Sequence, residues 1–292
     1  MTTTITRDAV LPLILSALQE DIAAGDITSE AIFNANTSAR AEFLVKQDGV
    51  ICGLDCVRWV CEEVAASSND TTLRWSALAI DGDAVKSGTV VARVEGTALT
   101  LLKLERTALN FMQRLSGVAT LTRTYTNTLA GTQTRVADTR KTIPGWRLLD
   151  KYAVRMGGGM NHRIGLFDMA LIKDNHRDAA GSLTAAIRRC NEALQDAPQT
   201  PIEAETRHLD DVREVLACLD EGLRVERIMF DNFTPDKVRD AVRLVGGRTA
   251  TEASGNITLE NIRSFAEAGV DVISVGALTH SAPALDISMK FR

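Results

Sequence analysis

The sequence predicts an α/β barrel preceded by a smaller α+β unit, and three observations carry that reading. The chain has 292 residues, long for one small module and right for a barrel with a companion domain. After about Gly117, short apolar runs alternate with helical segments, the pattern of a parallel sheet with covering helices. A charged residue closes five of those runs, at Asp138, Lys173, Glu205, Asp231 and Glu252. In a barrel the strand ends meet on one rim, and that rim carries the chemistry.

Composition narrows the function classes before any motif is read. Hydrophobic residues make up 45% and charged residues 24% of the chain, as in an ordinary globular protein. Aromatics are only 4%, so the core rests on Ala, Val, Leu and Ile, which suits strand–helix layers better than a β-sandwich. A formal net charge of −5 gives no global attraction to nucleic acid or anionic lipid, so any basic site must be local. The opening segment from Met1 to Arg7 holds no apolar signal core. No run approaches the roughly 18 apolar residues of a membrane span. The expected compartment is the cytoplasm. The five cysteines, Cys52, Cys56, Cys61, Cys190 and Cys218, argue against a disulfide framework. Cys52, Cys56 and Cys61 miss the spacing of a zinc site and lack a nearby His, so they read as core residues of a helix over 55–66.

The first part of the chain opens with an amphipathic helix in which Val10, Leu11, Ile14, Leu15 and Leu18 recur at helical spacing. Asp8 is its expected N-cap, Pro12 falls in or near the first turn, and Gly25-Asp26 ends it. Residues 41–46 and 89–94 read as strands, 54–66 as a helix, and Asp48-Gly49 and Asp81-Gly82 as turns. A long helix is expected over about 98–115. Beyond it, strands are expected at 134–137, 169–172, 202–204, 227–230, 249–251 and 270–275. Helices are expected at 183–194, 209–218, 235–245 and 259–268. No Walker A loop, strand-linked GxGxxG, GxSxG elbow or HExxH pair is present. Dinucleotide binding, P-loop chemistry, triad hydrolysis and zinc peptidase action are thereby demoted.

The strongest chemical signal is a local basic cluster. Arg135, Arg140, Lys141, Arg147, Lys151, Arg155 and Arg163 are set against Asp138 and Asp150 alone, a surplus of five positive charges in an acidic chain. A charge run is most often a solvated face. Here, however, Arg140-Lys141 follows a strand end, Gly157-Gly158-Gly159 precedes Asn161-His162-Arg163, and Lys173-Asp174-Asn175-His176 ends the next strand. Arg offers a planar fork to carboxylate or phosphate, and Lys a compact charge. Consecutive glycines let backbone N–H groups approach an anion. His162 can donate to an oxygen at neutral pH without acting as a general base. Such a pocket expects a ligand with at least two negative groups. Glu205 and Asp231, on successive strand ends, are either salt-bridge partners of this cluster or holders of Mg²⁺. Ser254-Gly255-Asn256 and Gly276-Ala277, after the last two barrel strands, suit a phosphate cradle.

Several of these segments resemble the quinolinate phosphoribosyltransferase family, the decarboxylating nicotinate-nucleotide pyrophosphorylases of NAD biosynthesis. They are Asp138-Thr-Arg-Lys-Thr-Ile-Pro-Gly145, Lys151-Tyr-Ala-Val-Arg155, Gly157-Gly-Gly-Met-Asn-His-Arg163 and Leu171-Ile-Lys-Asp-Asn-His176. Leu18-Gln-Glu-Asp-Ile22, Gly25-Asp-Ile-Thr28, Glu105-Arg-Thr-Ala-Leu-Asn-Phe111, Leu115-Ser-Gly-Val-Ala-Thr120, Phe230-Asp-Asn-Phe233 and Val275-Gly-Ala-Leu-Thr-His280 are similar to the family in its order. The likeness covers essentially the whole chain.

What the resemblance implies is specific. The fold would be α/β, with an N-terminal α/β sandwich over 1–116, joined by the C-terminal segment 285–292, and a C-terminal α/β barrel over 117–284 like that of type II phosphoribosyltransferases. Members are homodimers or larger homo-oligomers, in which Arg106 would enter the neighbour's site. Read alone, Arg106 is a surface ion pair with Glu105 or another acid. Arg140, His162, Arg163 and Lys173 would hold the two carboxylates of quinolinate, with Lys141 beside the reacting ring. Glu205 and Asp231 would fix Mg²⁺ and the ribose or pyrophosphate of phosphoribosyl pyrophosphate. Ser254, Gly255, Asn256, Gly276 and Ala277 would cradle its 5-phosphate. Three rival readings stand beside this one: a barrel phosphoribosyltransferase acting on another pyridine or base, an aldolase-type barrel with Lys173 as Schiff-base lysine, and a non-catalytic anion binder.

Overall fold

The computed structural model describes residues 5–292; residues 1–4 of the opening segment read above lie outside the described residues. The chain divides into two units, one of residues 1–123, 143–158 and 281–292, the other of residues 124–142 and 159–280.

The first unit opens with α1 (Arg7–Ile22) and α2 (Ile27–Ile32). Thr6, not Asp8, caps α1, its hydroxyl accepting from the Ala9 N–H at 3.4 Å. Asp8 instead lies in the first turn, where a negative charge suits the helix dipole. Pro12 sits deeper than expected, inside the helix. Next come β1 (Ser38–Val45), β2 (Gly49–Val50), α3 (Leu54–Ser67), β3 (Arg74–Ala77), β4 (Ala84–Val85), β5 (Val90–Thr97) and the long α4 (Ala98–Thr128). The C-terminal strand β12 (Ile287–Phe291) joins these in an antiparallel sheet ordered β12-β1-β5-β3. Along β1 the residues alternate, with Ala41, Phe43 and Val45 buried. Helix α3 adds Cys56, Val57, Trp59, Val60, Cys61 and Val64 to this core, each large apolar side chain contributing about 1.5–3 kcal/mol.

Three features of this unit depart from the sequence expectation. Gly53, at the start of α3, has no side chain to cap with, so Asp81 reaches in from the Asp81-Gly82 turn. It accepts from the Gly53 and Leu54 N–H groups at 2.9 and 3.1 Å and from the Tyr152 hydroxyl at 2.8 Å. Tyr152 lies on α5 (Arg147–Met156), a helix absent from the sequence reading. The buried Asp150 of α5 takes the Arg114 guanidinium at 3.0 Å, and Arg123 donates to the Gly157 carbonyl at 3.0 Å. The long helix α4 runs on to Thr128, well beyond the expected end near 115. At Gly117 it meets the Pro283 carbonyl so closely that a Cβ would stand 2.0 Å from the oxygen. Cys52, Cys56 and Cys61 are buried, as expected of core residues, and burial pushes their thiols up. Cys52, however, precedes α3.

The second unit is a parallel α/β barrel of six strands: β6 (Arg135–Ala137), β7 (Ala170–Ile172), β8 (Ile202–Thr206), β9 (Arg227–Asp231), β10 (Ala250–Ser254) and β11 (Val272–Ser274). Their order is β6-β11-β10-β9-β8-β7, and β6 and β7 share no ladder among the described residues. Between the strands run α6 (Asp174–Ala180), α7 (Leu183–Ala193), α8 (Leu209–Asp220), α9 (Pro235–Val245), α10 (Ile262–Glu267) and α11 (Ala277–His280). Helix α9 shows why the helical segments were legible. Thr234 accepts from the Lys237 N–H, Pro235 opens the helix, and Gly246 closes it in the left-handed region. Strands β8, β9 and β10 continue past their apolar runs, because polar residues that face the barrel interior stay in the ladder. Glu252 is therefore the middle of β10 and not its end; Ser254 ends it. No described helix is long and apolar enough to cross a membrane.

Candidate active site

Strand alternation builds the site. In the parallel register Glu205 lies opposite Met229, Met229 opposite Glu252, and Asp231 opposite Ser254. Residues two apart share a face, so Glu203, Glu205, Arg227, Met229, Asp231, Glu252 and Ser254 all point the same way. Above them lies a cleft of about 200 Å³. Arg140, Lys141, His162, Arg163 and Lys173 line it together with Glu205, Asp231 and Ser254. Eight residues singled out in the sequence thus meet in one cavity.

The cations are held by their backbones. Asp138 is fully buried and accepts from the His162 N–H at 2.9 Å and the Asn161 amide at 2.6 Å. It is a brace under the site. Lys141 N–H donates to the Thr139 hydroxyl at 3.0 Å, and the buried Thr279 hydroxyl donates to the Lys141 carbonyl at 2.8 Å. Arg163 donates from Nη1 to the Met169 carbonyl at 3.2 Å. Burial, and next the nearby Arg140, hold its pKa below the usual guanidinium range. That mutual repulsion of cations is what a dianionic ligand would relieve.

Opposite them, Glu205 is pushed up by burial first and by the neighbouring Asp231 second, with Lys173 pulling the other way. Asp231 accepts from the Asn232 amide at 2.7 Å, and Asn232 accepts from the Asn256 amide at 3.1 Å. Asn232, Gly255 and Asn256 all have positive φ, at 58°, 97° and 52°. A Cβ on Gly255 would stand 2.2 Å from the Asn232 side-chain oxygen, so this turn requires glycine. Gly276 faces a second close approach: a Cβ there would meet Lys141 Cδ and His280 Nε2, both at 3.1 Å. Ala277 opens α11 directly after it.

Beneath the cleft lies a buried charged group. His162 Nε2 stands 3.0 Å from Glu203 Oε2 and 3.4 Å from Glu252 Oε2, and Arg227 Nη1 stands 2.8 Å from Glu252 Oε2. His162 Nδ1 accepts the Arg163 N–H at 2.8 Å. Burial disfavours a second proton on the ring, but the hydrogen bonds and charges of Glu203 and Glu252 outweigh it and raise the imidazole pKa to about 9. That raised pKa and the Arg163 bond pull against each other, since the bond needs a lone pair on Nδ1; the proton the carboxylates retain is the one on Nε2, which faces them. Both ring nitrogens thus face protein groups, while His162 also lines the cleft.

Arg106 is exposed on α4 in the first unit and does not line the cleft. Glu203 and Asn232, which touch His162 and Asp231 from outside the cleft lining, were not singled out in the sequence. Glu203 had a signal, standing two residues before Glu205 on the same strand face; Asn232 had none beyond its segment.

Comparison with known proteins now bears on the geometry. Residues 118–290 match the quinolinate phosphoribosyl transferase C-terminal domain and residues 26–116 its N-terminal domain. The chain is 43% identical over 290 residues to the chloroplastic carboxylating nicotinate-nucleotide pyrophosphorylase of Arabidopsis thaliana, covering 95% of this chain and 81% of that one. It is 43% identical over 270 residues to a probable nicotinate-nucleotide pyrophosphorylase of Bacillus subtilis, covering 92% and 89%. Among solved structures, NadC from Streptococcus pyogenes superposes with a TM-score of 0.91 at 36% identity, covering 98% and 97% of the two chains. The nicotinate-nucleotide pyrophosphorylase from Francisella tularensis gives 0.90 at 35%, covering 100% and 99%.

Proposed function

The chain belongs to the quinolinate phosphoribosyl transferase family, and from that premise we propose that it transfers phosphoribosyl from phosphoribosyl pyrophosphate to quinolinate with decarboxylation. The products are nicotinate mononucleotide, pyrophosphate and CO₂. One observation supports this reading above the rest: Arg140, Lys141, Arg163 and Lys173 share a cleft with Glu205 and Asp231.

Arg140, Arg163 and Lys173 take the two carboxylates of quinolinate, with His162 in the same pocket. Held there, the ring nitrogen faces C1 of the ribose, and positioning lowers the barrier. Ser254, Gly255, Asn256, Gly276 and Ala277 cradle the 5-phosphate, where small residues let backbone N–H groups come close. Glu205 and Asp231 would hold Mg²⁺. The donor set fits: two adjacent carboxylates, one of them pushed up by burial and by the other's charge, make a hard-oxygen site that a divalent cation relieves. When bound, Mg²⁺ supplies charge neutralisation for the departing pyrophosphate. Lys141, beside the reacting ring, offsets the negative charge of the quinolinate carboxylates and of the departing pyrophosphate as the N–C1 bond forms and the C1–O bond breaks. The adjacent ring cation then stabilises the electron pair left on C2 as CO₂ departs, and that pair takes up a proton.

The aldolase reading is weaker, because Lys173 stands among Arg140, Lys141 and Arg163 and not in the apolar pocket that a Schiff-base lysine needs. A cytoplasmic homodimer, with Arg106 entering the neighbour's cleft, completes the proposal. Incubation with quinolinate, phosphoribosyl pyrophosphate and Mg²⁺ tests it. Nicotinate mononucleotide and CO₂ should form and a chelator should stop both. Turnover of nicotinate but not quinolinate would transfer the assignment to another base.

A further inference from the structure

We propose that Glu252, held by Arg227, is a positioning residue for the pyridine pocket: it sets the orientation of the His162 ring and, through that ring, the backbone that aims Arg163. The identity of the substrate in this statement rests on the functional reading above; the geometry does not.

Two carboxylates, Glu203 and Glu252, are fully buried in the barrel interior, where an unneeded charge is costly. The proposed chemistry uses neither. Glu252 Oε2 lies between two partners, Arg227 Nη1 at 2.8 Å and His162 Nε2 at 3.4 Å, while Glu203 Oε2 flanks the same ring nitrogen at 3.0 Å. Strand register builds the arrangement: Arg227 precedes Met229 by two on β9, and Met229 is the ladder partner of Glu252 on β10. His162, Glu203 and Glu252 offer atoms within 4.8 Å of one another, a spacing that a metal would also accept. Arg227 already supplies the cation.

The ring is therefore gripped at both ends. Its Nε2 side faces the carboxylates, and its Nδ1 side receives the Arg163 N–H at 2.8 Å. The preceding amide, His162 N–H, is bound by Asp138 at 2.9 Å. Two consecutive backbone amides are thus fixed by side chains from β6's end and from the His162 ring itself, and Arg163 is the residue so aimed. A simple structural ion pair would have no need of the imidazole.

The test compares Glu252→Gln, Glu252→Asp and Arg227→Lys with the wild type by steady-state kinetics and by imidazole ¹⁵N NMR of His162. Glu252→Gln should raise KM for quinolinate about tenfold while leaving KM for phosphoribosyl pyrophosphate within about twofold. Its His162 signals should shift from a pure Nε2–H tautomer to a tautomer mixture. Glu252→Asp should recover part of both losses. If Glu252→Gln does not fold, Arg227→Lys should show the same split in smaller measure. A folded Glu252→Gln with wild-type KM and an unchanged tautomer overturns the proposal, as does equal weakening for both substrates. Should the wild-type protein not turn over quinolinate, the functional reading fails, and the NMR arm still decides this one.

Discussion

The side-chain amide of Asn232 donates to Asp231 Oδ2 at 2.7 Å. Its carbonyl accepts from Asn256, and its own N–H donates to the Ser254 carbonyl at 2.8 Å. One exposed residue therefore ties the candidate metal carboxylate to the candidate phosphate loop. Asparagine is suited to it, since it tolerates the left-handed backbone at φ 58° better than most residues. Replacing it with alanine removes both side-chain bonds. We expect Asn232→Ala to raise KM for phosphoribosyl pyrophosphate about tenfold, at about 0.5–1.5 kcal/mol per lost bond. Quinolinate affinity, measured by titration calorimetry, should be unchanged.

Arg140→Ala should weaken quinolinate binding roughly 10- to 150-fold, the worth of about 1.5–3 kcal/mol for a charged hydrogen-bonding group. The fold should survive, because Arg140 is at the cleft and outside the barrel ladder. Calorimetry for affinity and circular dichroism for integrity check both halves. Near-normal affinity would refute the site map.

Arg106→Ala should lose activity although its own cleft is intact. Mixed with Lys141→Ala, itself inactive, it should regain about a quarter of wild-type activity as subunits exchange and one cleft in a mixed dimer becomes complete. Absence of any recovery after confirmed exchange would remove the cross-subunit role.

Gly117→Ala should destabilise the protein by about 1–3 kcal/mol through overpacking. The added methyl would collide with the Pro283 carbonyl, which is backbone and has little room to give. Urea unfolding measures the loss.

Asp70 offers a pH test of the first unit. Burial alone would raise its carboxyl, but the Thr72 hydroxyl and N–H and the Thr97 N–H hold it well below its ordinary 3.8. A depressed folded-state pKa means stability that is complete above 3.8 and is lost as pH falls through that value toward the folded one. Asp70→Asn should therefore be less stable than wild type at pH 7, and the gap should narrow as pH falls from 4 to 2. Denaturant titrations across that range decide it; a constant gap would mean that the carboxylate charge is not what matters.

The barrel was legible because its signals are local. Apolar runs, caps such as Thr234 with Pro235, and closing glycines each act within one turn or strand. The cations of the site were legible because they cluster in sequence after strand ends. What escaped depends on residues far apart. The cap of α3 is borrowed from Asp81, and α5 is bound through Arg114 and Asp81. Glu252 looked like a strand end because its β10 neighbours Ala253 and Ser254 prolong a ladder that hydrophobicity alone does not announce. The His162 role was hidden for the same reason: Glu203, Arg227 and Glu252 come from three strands, and only register brings them under one ring.

Helix α5 is flanked on both sides by barrel segments yet belongs with the first unit, as do residues 281–292. The backbone thus changes allegiance four times between its ends. Neither unit can be excised as one continuous stretch, and a cut near residue 116 would strip the amino-terminal piece of a helix and an edge strand. Genetic dissection of this protein into separately expressed halves should yield two insoluble fragments.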